Sequence, residues 1–197
     1  METTTDIRVR RARYRDWKAL SLFAQRIFPK SLNPQAISYI LRHSHPLVGV
    51  AESAFGLVGF YIFFPADREP DTVWLNYYGV AEEVRGTGAS TLVLRAFEAH
   101  ARELGYRRVT LAVHTDNIGA IRLYERERYT HLGPDADAGK IRFEKILSTS
   151  GANTNDRSPW RPRQHVLISL FRRVVYACLV DVPLSIHGKA SAPVQRI

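Results

Sequence analysis

The most informative stretch of the chain lies near its middle and reads Tyr77-Tyr78-Gly79-Val80-Ala81-Glu82-Glu83-Val84-Arg85-Gly86-Thr87-Gly88-Ala89-Ser90. Its aromatic and apolar beginning predicts the end of a strand, and the residues after it have the spacing of a long helix that ends near Leu104. Between the two, Gly86 and Gly88 let backbone N–H groups approach a ligand because glycine has no Cβ. The unpaired N–H groups at the start of a helix can then hold a phosphate group.

The glycines alone do not define a phosphate site, because glycine turns that lead into helices are common. The stretch is not a Walker loop, since no Gly-Lys-Ser/Thr follows, and it lacks the Gly-x-Gly-x-x-Gly pattern. A tight turn that only leads into a helix is therefore about as well supported here as a pyrophosphate cradle. The segments on either side must separate the two interpretations.

Hydrophobic patterning predicts an alternation of strands and helices around this stretch. Strands are predicted at 6–10, 47–52, 56–64, 73–80, 107–114 and 141–147, and further helices at 16–28, 33–42 and 117–128. Asp16 and Asn33 are expected to cap the first two helices, and Pro34 suits a first helical turn. One domain over residues 1–147 follows from this pattern.

Residues 7–147 resemble the GNAT superfamily of N-acetyltransferases, with the motifs in the family's order. Val80–Gly88 resembles the acyl-CoA motif of the family, and Ile7–Ala12 with Asp16-Trp17 resembles its first strand and helix start. A later motif is similar at Asn117, Ala120, Leu123, Tyr124 and Tyr129.

The chain departs from the family pattern at two positions and resembles one branch of the family at a third. Ser90 stands where the family has Gly or Ala, and Arg128 stands where Gly is often found before the second aromatic. The Phe28-Pro29 dipeptide between the first two helices resembles a loop of the protein Nα-acetyltransferases, so this branch is the nearest in character.

The resemblance implies an α/β (α+β) fold with a mixed, mostly antiparallel central sheet, a splayed strand pair and flanking helices. It implies acetyl-CoA as co-substrate, with direct transfer of the acetyl group to a primary amine, a protein or peptide amine being favoured. The exposed strand edge would pair with pantetheine, the turn amides would hold the pyrophosphate and an asparagine would bind the cofactor arm. The residues so implied are Gly79, Val80, Arg85, Gly86, Thr87, Gly88, Ala89, Ser90 and Asn117.

The resemblance also implies that the Tyr124 hydroxyl lies near the thioester sulfur and protonates the leaving thiolate as general acid. Without the motif, Tyr124 would be interpreted as a core aromatic. Relatives often carry the general base on the fourth strand, but Trp74–Tyr78 contains no carboxylate. The candidates for the base are His114, Tyr77, Asp116 or a water held by Asn76, and a lone histidine at a strand end is more often structural than catalytic.

The acceptor is expected between the first two helices and the sheet. Aromatic residues available to line that cleft are Phe28, Tyr39, Tyr61, Phe63, Tyr77 and Tyr78. No metal is expected, since Cys178 is the single cysteine and no cysteine-built zinc site can form. Two other functions stay open: a catalytically silent acyl-CoA-binding or scaffold module, and an acetyltransferase for a small-molecule amine or amino sugar.

The net charge of +9 is unevenly distributed. Residues 1–150 hold 21 Lys/Arg against 17 Asp/Glu, whereas residues 151–197 hold 7 against 2. The basic residues of the body are scattered and form no recognition motif, so nucleic acid is not the expected partner. The N-terminus lacks a signal-peptide pattern and no long uncharged apolar run occurs, which favours the cytoplasm.

Residues 148–158 are predicted to form a polar linker, and residues 159–197 a basic apolar extension. The apolar positions of the extension fit a helix, although its many β-branched residues also fit a pair of strands. Packing on the enzyme body or across a homodimer is favoured over docking to an anionic membrane or a partner, because the apolar residues exceed what a surface anchor requires.

Overall fold

A computed structural model describes residues 6–29, 32–67 and 69–147. The strands are β1 (Arg8–Arg11), β2 (Val48–Ser53), β3 (Gly56–Pro65), β4 (Thr72–Val80), β5 (Arg108–His114), β6 (Thr130–Pro134) and β7 (Lys140–Ile146). The helices are α1 (Trp17–Ile27), α2 (Pro34–His43), α3 (Ala89–Glu103) and α4 (Ile118–Arg126). The predictions for the linker at 148–158 and the extension at 159–197 lie outside the described residues.

The seven strands form one sheet in the order β1-β2-β3-β4-β5-β7-β6, and only β4 and β5 run parallel. The mixed, mostly antiparallel α/β sheet therefore confirms the expected fold class. The sequence analysis did not predict β6. This edge strand contains Gly133 and Pro134 and a register shift against β7, so its five residues carry little of the alternation that marks a strand.

The sheet splits between its two parallel strands. β4 and β5 pair only where Thr72–Trp74 meets Arg108–Thr110. Within the described residues, the later part of β4 has a ladder partner on the β3 side alone. Asn76 is the extra residue of a bulge against β3, since Ile62 pairs with Tyr77 and the next residue, Phe63, pairs with Leu75. A bulge increases strand twist, which accounts for the divergence of β4 from β5.

Helices α3 and α4 cover one face of the sheet, which we call the closed face. The Tyr61 ring lies 5.6 Å from the Phe97 ring of α3, and Tyr124 of α4 lies 5.8 Å from Phe143 of β7. Lys145, two residues beyond Phe143, reaches Glu98 of α3 at 2.7 Å. Alternation along a strand then places neighbouring residues of β5 and β7 on the opposite face.

Helices α1 and α2 pack on that opposite face, over the first four strands. Phe60 of β3 contacts Phe23 of α1 at a ring distance of 6.0 Å, and Tyr77 of β4 contacts Phe28 at 5.5 Å. From Trp74 of β4 across β5 and β7, the side chains on this face are mostly exposed or half-buried. We call this part of the sheet the open face; it is formed by Trp74, Ala112, His114, Lys140, Arg142 and Glu144.

Of the two predicted helix caps, the one at Asn33 is present and the one at Asp16 is not. The Asn33 side chain accepts a hydrogen bond from the Ala36 N–H at 2.8 Å, as a cap of α2 should. Asp16 does not cap the first turn of α1; it accepts from the Arg13 N–H at 2.7 Å and pairs with Arg10 at 2.7 Å. This pairing with Arg10 lowers the pKa of Asp16.

Two features are absent from residues 6–29, 32–67 and 69–147. None of their helices is long and apolar enough to cross a membrane. None of their side chains form a group of three or more His, Cys, Asp or Glu that could hold a metal ion.

Candidate active site

The turn between β4 and α3 has the backbone geometry of a ligand cradle. Gly86 and Gly88 adopt positive φ angles of 80° and 91°, a conformation that side chains rarely allow. A Cβ added at either position would meet no atom within 4 Å, so the turn faces open space. The Thr87 hydroxyl donates to the Val84 carbonyl at 2.8 Å and braces the turn from within.

The backbone N–H groups of this turn are available to a ligand. The Leu92 N–H donates to the Gly88 carbonyl at 3.0 Å and starts the helical hydrogen bonds of α3. Among the described residues, no turn or cap hydrogen bond engages the N–H groups of residues 86–90. These groups stand at the positive end of a 15-residue helix, which suits the pyrophosphate of coenzyme A.

Arg85 differs from the rest of the turn. Its N–H donates to the Glu82 carbonyl at 3.0 Å, so it is the exposed side chain, not the amide, that Arg85 can offer to a ligand. Gly79 and Val80 lie in the part of β4 beyond the split, where the edge toward β5 carries no ladder. A pantetheine chain could pair with this edge as an added strand.

Tyr124 lies on the closed face, in α4. It is buried between Tyr129, at a ring distance of 5.4 Å, and Phe143. Burial raises the pKa of Tyr124 well above the ordinary tyrosine value, so the hydroxyl is protonated at neutral pH. The side chain therefore has the protonation state that a general acid needs.

Tyr78 connects the strand edge to the cradle. Its hydroxyl donates to the Ser90 carbonyl at 2.6 Å, which ties β4 to the first turn of α3. Burial and the neighbouring Tyr124 raise the pKa of Tyr78, so this hydroxyl is also protonated at neutral pH. Tyr78 thus fixes the strand edge relative to the helix start.

Asn117 lies immediately before α4 and caps it. Its Oδ1 accepts a hydrogen bond from the Ala120 N–H at 3.1 Å. The side-chain NH2 makes no hydrogen bond with the part of the chain that the structure describes, and the residue is exposed. Asn117 can therefore orient α4 and still donate to a cofactor.

The candidate bases lie on the open side of the split. His114 ends β5 and is exposed, and Asp116 is exposed in the turn that follows. Tyr77 lies across the split on β4, and burial raises the pKa of Tyr77 to about 12. A phenol with that pKa is protonated at neutral pH, which argues against Tyr77 as the base.

The expected aromatic lining of the acceptor cleft is only partly correct. Tyr61 and Phe63 lie on the closed face and are fully buried, with the Tyr61 hydroxyl 3.0 Å from Nδ1 of His100. Tyr78 also faces α3, as its bond to Ser90 shows. The prediction that these three residues line the cleft is wrong, because the sequence does not say which side of a doubly covered strand faces which helix.

The other cleft candidates lie on the α1–α2 side, but not all at the split. Phe28 and Tyr77 pack together beside it. Tyr39 stacks on His43 at 4.4 Å and lines a surface pocket of about 520 Å³ together with Trp17 and Arg42. That pocket lies between the outer surfaces of α1 and α2.

The sequence analysis missed a group on the open face. The Arg142 guanidinium lies 5.0 Å from the centre of the Trp74 ring, and its Nε donates to Asp135 at 3.2 Å. Arg142 belongs to β7, for which the sequence predicts a strand at 141–147 and no functional side chain. Only the register of β5 with β7, which pairs Arg142 with Ala112, places it beside the split.

Comparison with known proteins agrees with this geometry. The sequence profile of the Acetyltransferase (GNAT) family matches residues 11–128, more than half of the chain. The chain belongs to this family.

Among individual relatives, the spermine/spermidine N(1)-acetyltransferase of Bacillus subtilis (strain 168) is 33% identical over 94 residues. These residues are 47% of this chain and 62% of that protein, so the chain spans less than two thirds of the relative's length.

Two solved structures share the fold. Ard1 from Thermoplasma volcanium superposes with a TM-score of 0.63 at 22% identity, over 73% of this chain and 99% of that one. Diaminobutyrate acetyltransferase EctA from Paenibacillus lautus, in complex with L-2,4-diaminobutyric acid and coenzyme A, superposes with a TM-score of 0.59 at 20% identity. The match covers 76% of this chain and 99% of EctA.

Proposed function

We propose that this protein is an N-acetyltransferase that moves the acetyl group of acetyl-CoA to a primary amine. The observation that carries the proposal is the split between β4 and β5 next to a glycine turn with open N–H groups. The strand edge and the turn offer backbone hydrogen bonds to the two polar parts of a coenzyme A molecule, pantetheine and pyrophosphate. Family membership supports the same chemistry.

Acetyl-CoA supplies an activated acetyl group as a thioester. The N–H groups of residues 86–90 would hold its pyrophosphate, with the Arg85 side chain adding positive charge at the rim. Gly79 and Val80 would pair with the pantetheine, and the Asn117 NH2 would donate to the cofactor arm. These are mostly backbone contacts, so a small residue such as Ser90 in place of Gly or Ala keeps them.

Tyr124 would donate its proton to the departing sulfur. It extends from α4 on the closed face, where burial keeps its hydroxyl protonated. The amine must lose a proton before it attacks, since amines are protonated near neutral pH. We assign that step to His114, to Asp116 or to a water held by Asn76, because the protonated phenol of Tyr77 is a poor base.

The acceptor is an amine that approaches from the open face. The Phe28-Pro29 likeness favours a protein or peptide amine. The Bacillus relative is named for spermine and spermidine, and EctA holds L-2,4-diaminobutyric acid, so both relatives support a small-molecule amine. We therefore include both classes in the test, with the small amines as the favoured one.

The experiment uses the full chain. Acetyl-CoA binding is measured by calorimetry, and thiol release is then followed with peptides, lysine peptides, polyamines, amino acids and amino sugars. Binding together with turnover on one amine class is the expected result. Tight binding without acceptor-dependent turnover would instead establish a silent acyl-CoA-binding module, and no binding at all would refute the cradle.

A further inference from the structure

The open face carries one arginine whose hydrogen-bonding capacity is largely unused. Arg142 donates through Nε to Asp135 at 3.2 Å. Its two terminal Nη groups make no hydrogen bond with residues 6–29, 32–67 or 69–147, and 43% of the side chain is exposed. A guanidinium in this condition presents a fork of N–H donors toward solvent.

Arg142 is also held in place before any ligand arrives. The Trp74 ring supports the guanidinium from below at 5.0 Å, and Trp74 belongs to the paired part of β4. Asp135 is itself fixed, since its other oxygen accepts from the Asp137 N–H at 3.0 Å and its side chain is only 9% exposed. A preorganised guanidinium loses little freedom when it binds an anion.

The neighbouring carboxylates on this face are already paired. Glu144 accepts from Arg108 at 2.7 Å, and Asp137 lies 3.1 Å from Lys140. Asp135 is engaged by Arg142 itself. These three carboxylates are thus engaged by cations of the chain itself, whereas the Nη groups of Arg142 offer open donors for an anion.

The position of Arg142 connects it to the reaction. The last paired residues before the split are Trp74 and Thr110, and Arg142 pairs with Ala112, two residues further along β5. Two residues of a strand correspond to about 7 Å. If Arg142 holds the anionic group of a ligand, the amine of that ligand can lie at the split, provided that only a few bonds separate the two groups.

We propose that Arg142, stacked on Trp74, binds a carboxylate of the acceptor, so that the substrate is a small amine that also carries a carboxylate. This inference rests on the proposed acetyltransferase function and names its substrate class. The planar guanidinium matches a carboxylate in a two-pronged hydrogen bond, and the substrate amine then faces the acetyl group across the split.

The test compares matched amines with Arg142→Gln and Arg142→Lys variants of the full chain. The probes are lysine, ornithine and 2,4-diaminobutyrate, each beside the diamine that lacks its carboxylate, together with N-terminal peptides. Arg108→Gln is the control, because Arg108 is a paired arginine of the same face. Acetyl-CoA binding and thermal melting of each variant establish that it is folded.

The wild-type chain is expected to acetylate the carboxylate-bearing amines best. Arg142→Gln is expected to raise their KM about 10- to 100-fold, the usual loss for a hydrogen bond to a charged group, with the diamines and acetyl-CoA unaffected. Arg142→Lys is expected to rescue part of this loss, and Arg108→Gln to have no such effect.

Two kinds of failure are distinguishable. Preferred turnover of diamines or peptides, or equal effects of Arg142→Gln and Arg108→Gln, would overturn the carboxylate site and leave the acetyltransferase intact. An absence of acceptor-dependent thiol release with every probe would overturn the proposed function itself.

Discussion

The two faces of the sheet handle charge in opposite ways. On the closed face, Glu98 is 4% exposed and bonds Lys145 at 2.7 and 2.8 Å, and His100 is buried against Tyr61. On the open face, Arg108 pairs with Glu144 at the surface, and the Arg142 side chain is 43% exposed although its partner Asp135 is only 9% exposed. Buried groups must be fully paired or neutral, whereas surface groups can exchange partners.

This contrast separates the two tasks of the proposed enzyme. A proton donor such as Tyr124 benefits from a dry environment, because burial holds the phenol protonated. Recognition of an acceptor benefits from exposed hydrogen-bond donors, because a ligand can displace the water that is bound to them. The β4–β5 split is the place where the two faces meet, since the strands no longer close the sheet there.

The largest effect is expected for Tyr124→Phe. Loss of the general acid should lower kcat by roughly 10²- to 10⁴-fold and leave acetyl-CoA affinity in place. Stopped-flow thiol release and calorimetry measure the two quantities. Tyr129→Phe is the matched control, because Tyr129 is a second buried tyrosine whose ring lies 5.4 Å from that of Tyr124. Equal turnover of the Tyr124→Phe variant and the wild type would remove this role.

The difference between the two faces can be tested by removing one ion pair from each and measuring the free energy of unfolding. Glu98→Leu leaves the Lys145 ammonium without its buried partner and should cost about 3 kcal/mol in the free energy of unfolding. Glu144→Leu on the open face should cost less than about 1 kcal/mol, because Arg108 is 42% exposed and can be hydrated. Urea denaturation of both variants gives the values. Similar losses for the two would show that the faces do not differ in this way.

The closed face should also make stability depend on pH through His100. Burial, with a smaller contribution from Arg11, lowers the pKa of His100 to about 4, against 6.5 in the unfolded chain. The unfolded state therefore binds the proton first, and stability is lost as the pH falls from 6.5 toward 4, with about 2 kcal/mol gone at pH 5. Denaturation of the wild type at pH 7 and pH 5 measures this loss.

A variant without the imidazole provides the control for that measurement. His100→Phe loses the hydrogen bond to Tyr61 at every pH, so its stability is lower throughout. Its change between pH 7 and pH 5 should be smaller than that of the wild type by the same 2 kcal/mol, roughly. An unchanged pH dependence in this variant would assign the effect to other groups.

The smallest effect is expected at the turn after α4. Arg128 has a φ of 64°, in the left-handed region that favours glycine, which the family often has at this position. Arg128→Gly should relieve this strain and raise the free energy of unfolding by about 0.5 to 1 kcal/mol, part of the gain being offset by the greater freedom of glycine when unfolded. Thermal melting would show the gain, and a loss of stability would mean that the Arg128 side chain contributes contacts of its own.

Much of the fold could be predicted from patterns along the chain. Helix α2 begins at Pro34 after Asn33, as the capping signal indicates, and β4 and α3 flank the glycine turn as expected. These features depend on neighbours within a few residues, so the sequence carries them directly. The edge strand β6 was missed because a strand with Gly133, Pro134 and one partner has little pattern to read.

In the candidate site, too, the groups that local motifs position could be predicted, and those that the sheet positions could not. Backbone groups of the glycine turn, Asn117 and Tyr124 could be placed from motifs, since each motif sets its own local geometry. The acceptor side could not: Tyr61 and Phe63 were expected in the cleft and lie buried on the closed face. The face of the sheet that Tyr61 and Phe63 occupy depends on which helix packs over each face, a contact between distant segments. In β4, the bulge at Asn76 also shifts the pairing of Tyr77 and Tyr78 with β3 by one residue.

Patterns along the chain thus predict every helix and every strand except β6, the glycine turn before α3, and a tyrosine, Tyr124, one helical turn after Ala120. The folded chain alone shows where β4 leaves β5, which face each aromatic occupies and that Arg142 stacks on Trp74, 68 residues earlier in the chain. The physical reason is range. Caps, turns and helical periods are set by contacts between residues a few positions apart, whereas strand register and the stacking of distant side chains exist only once the sheet has formed.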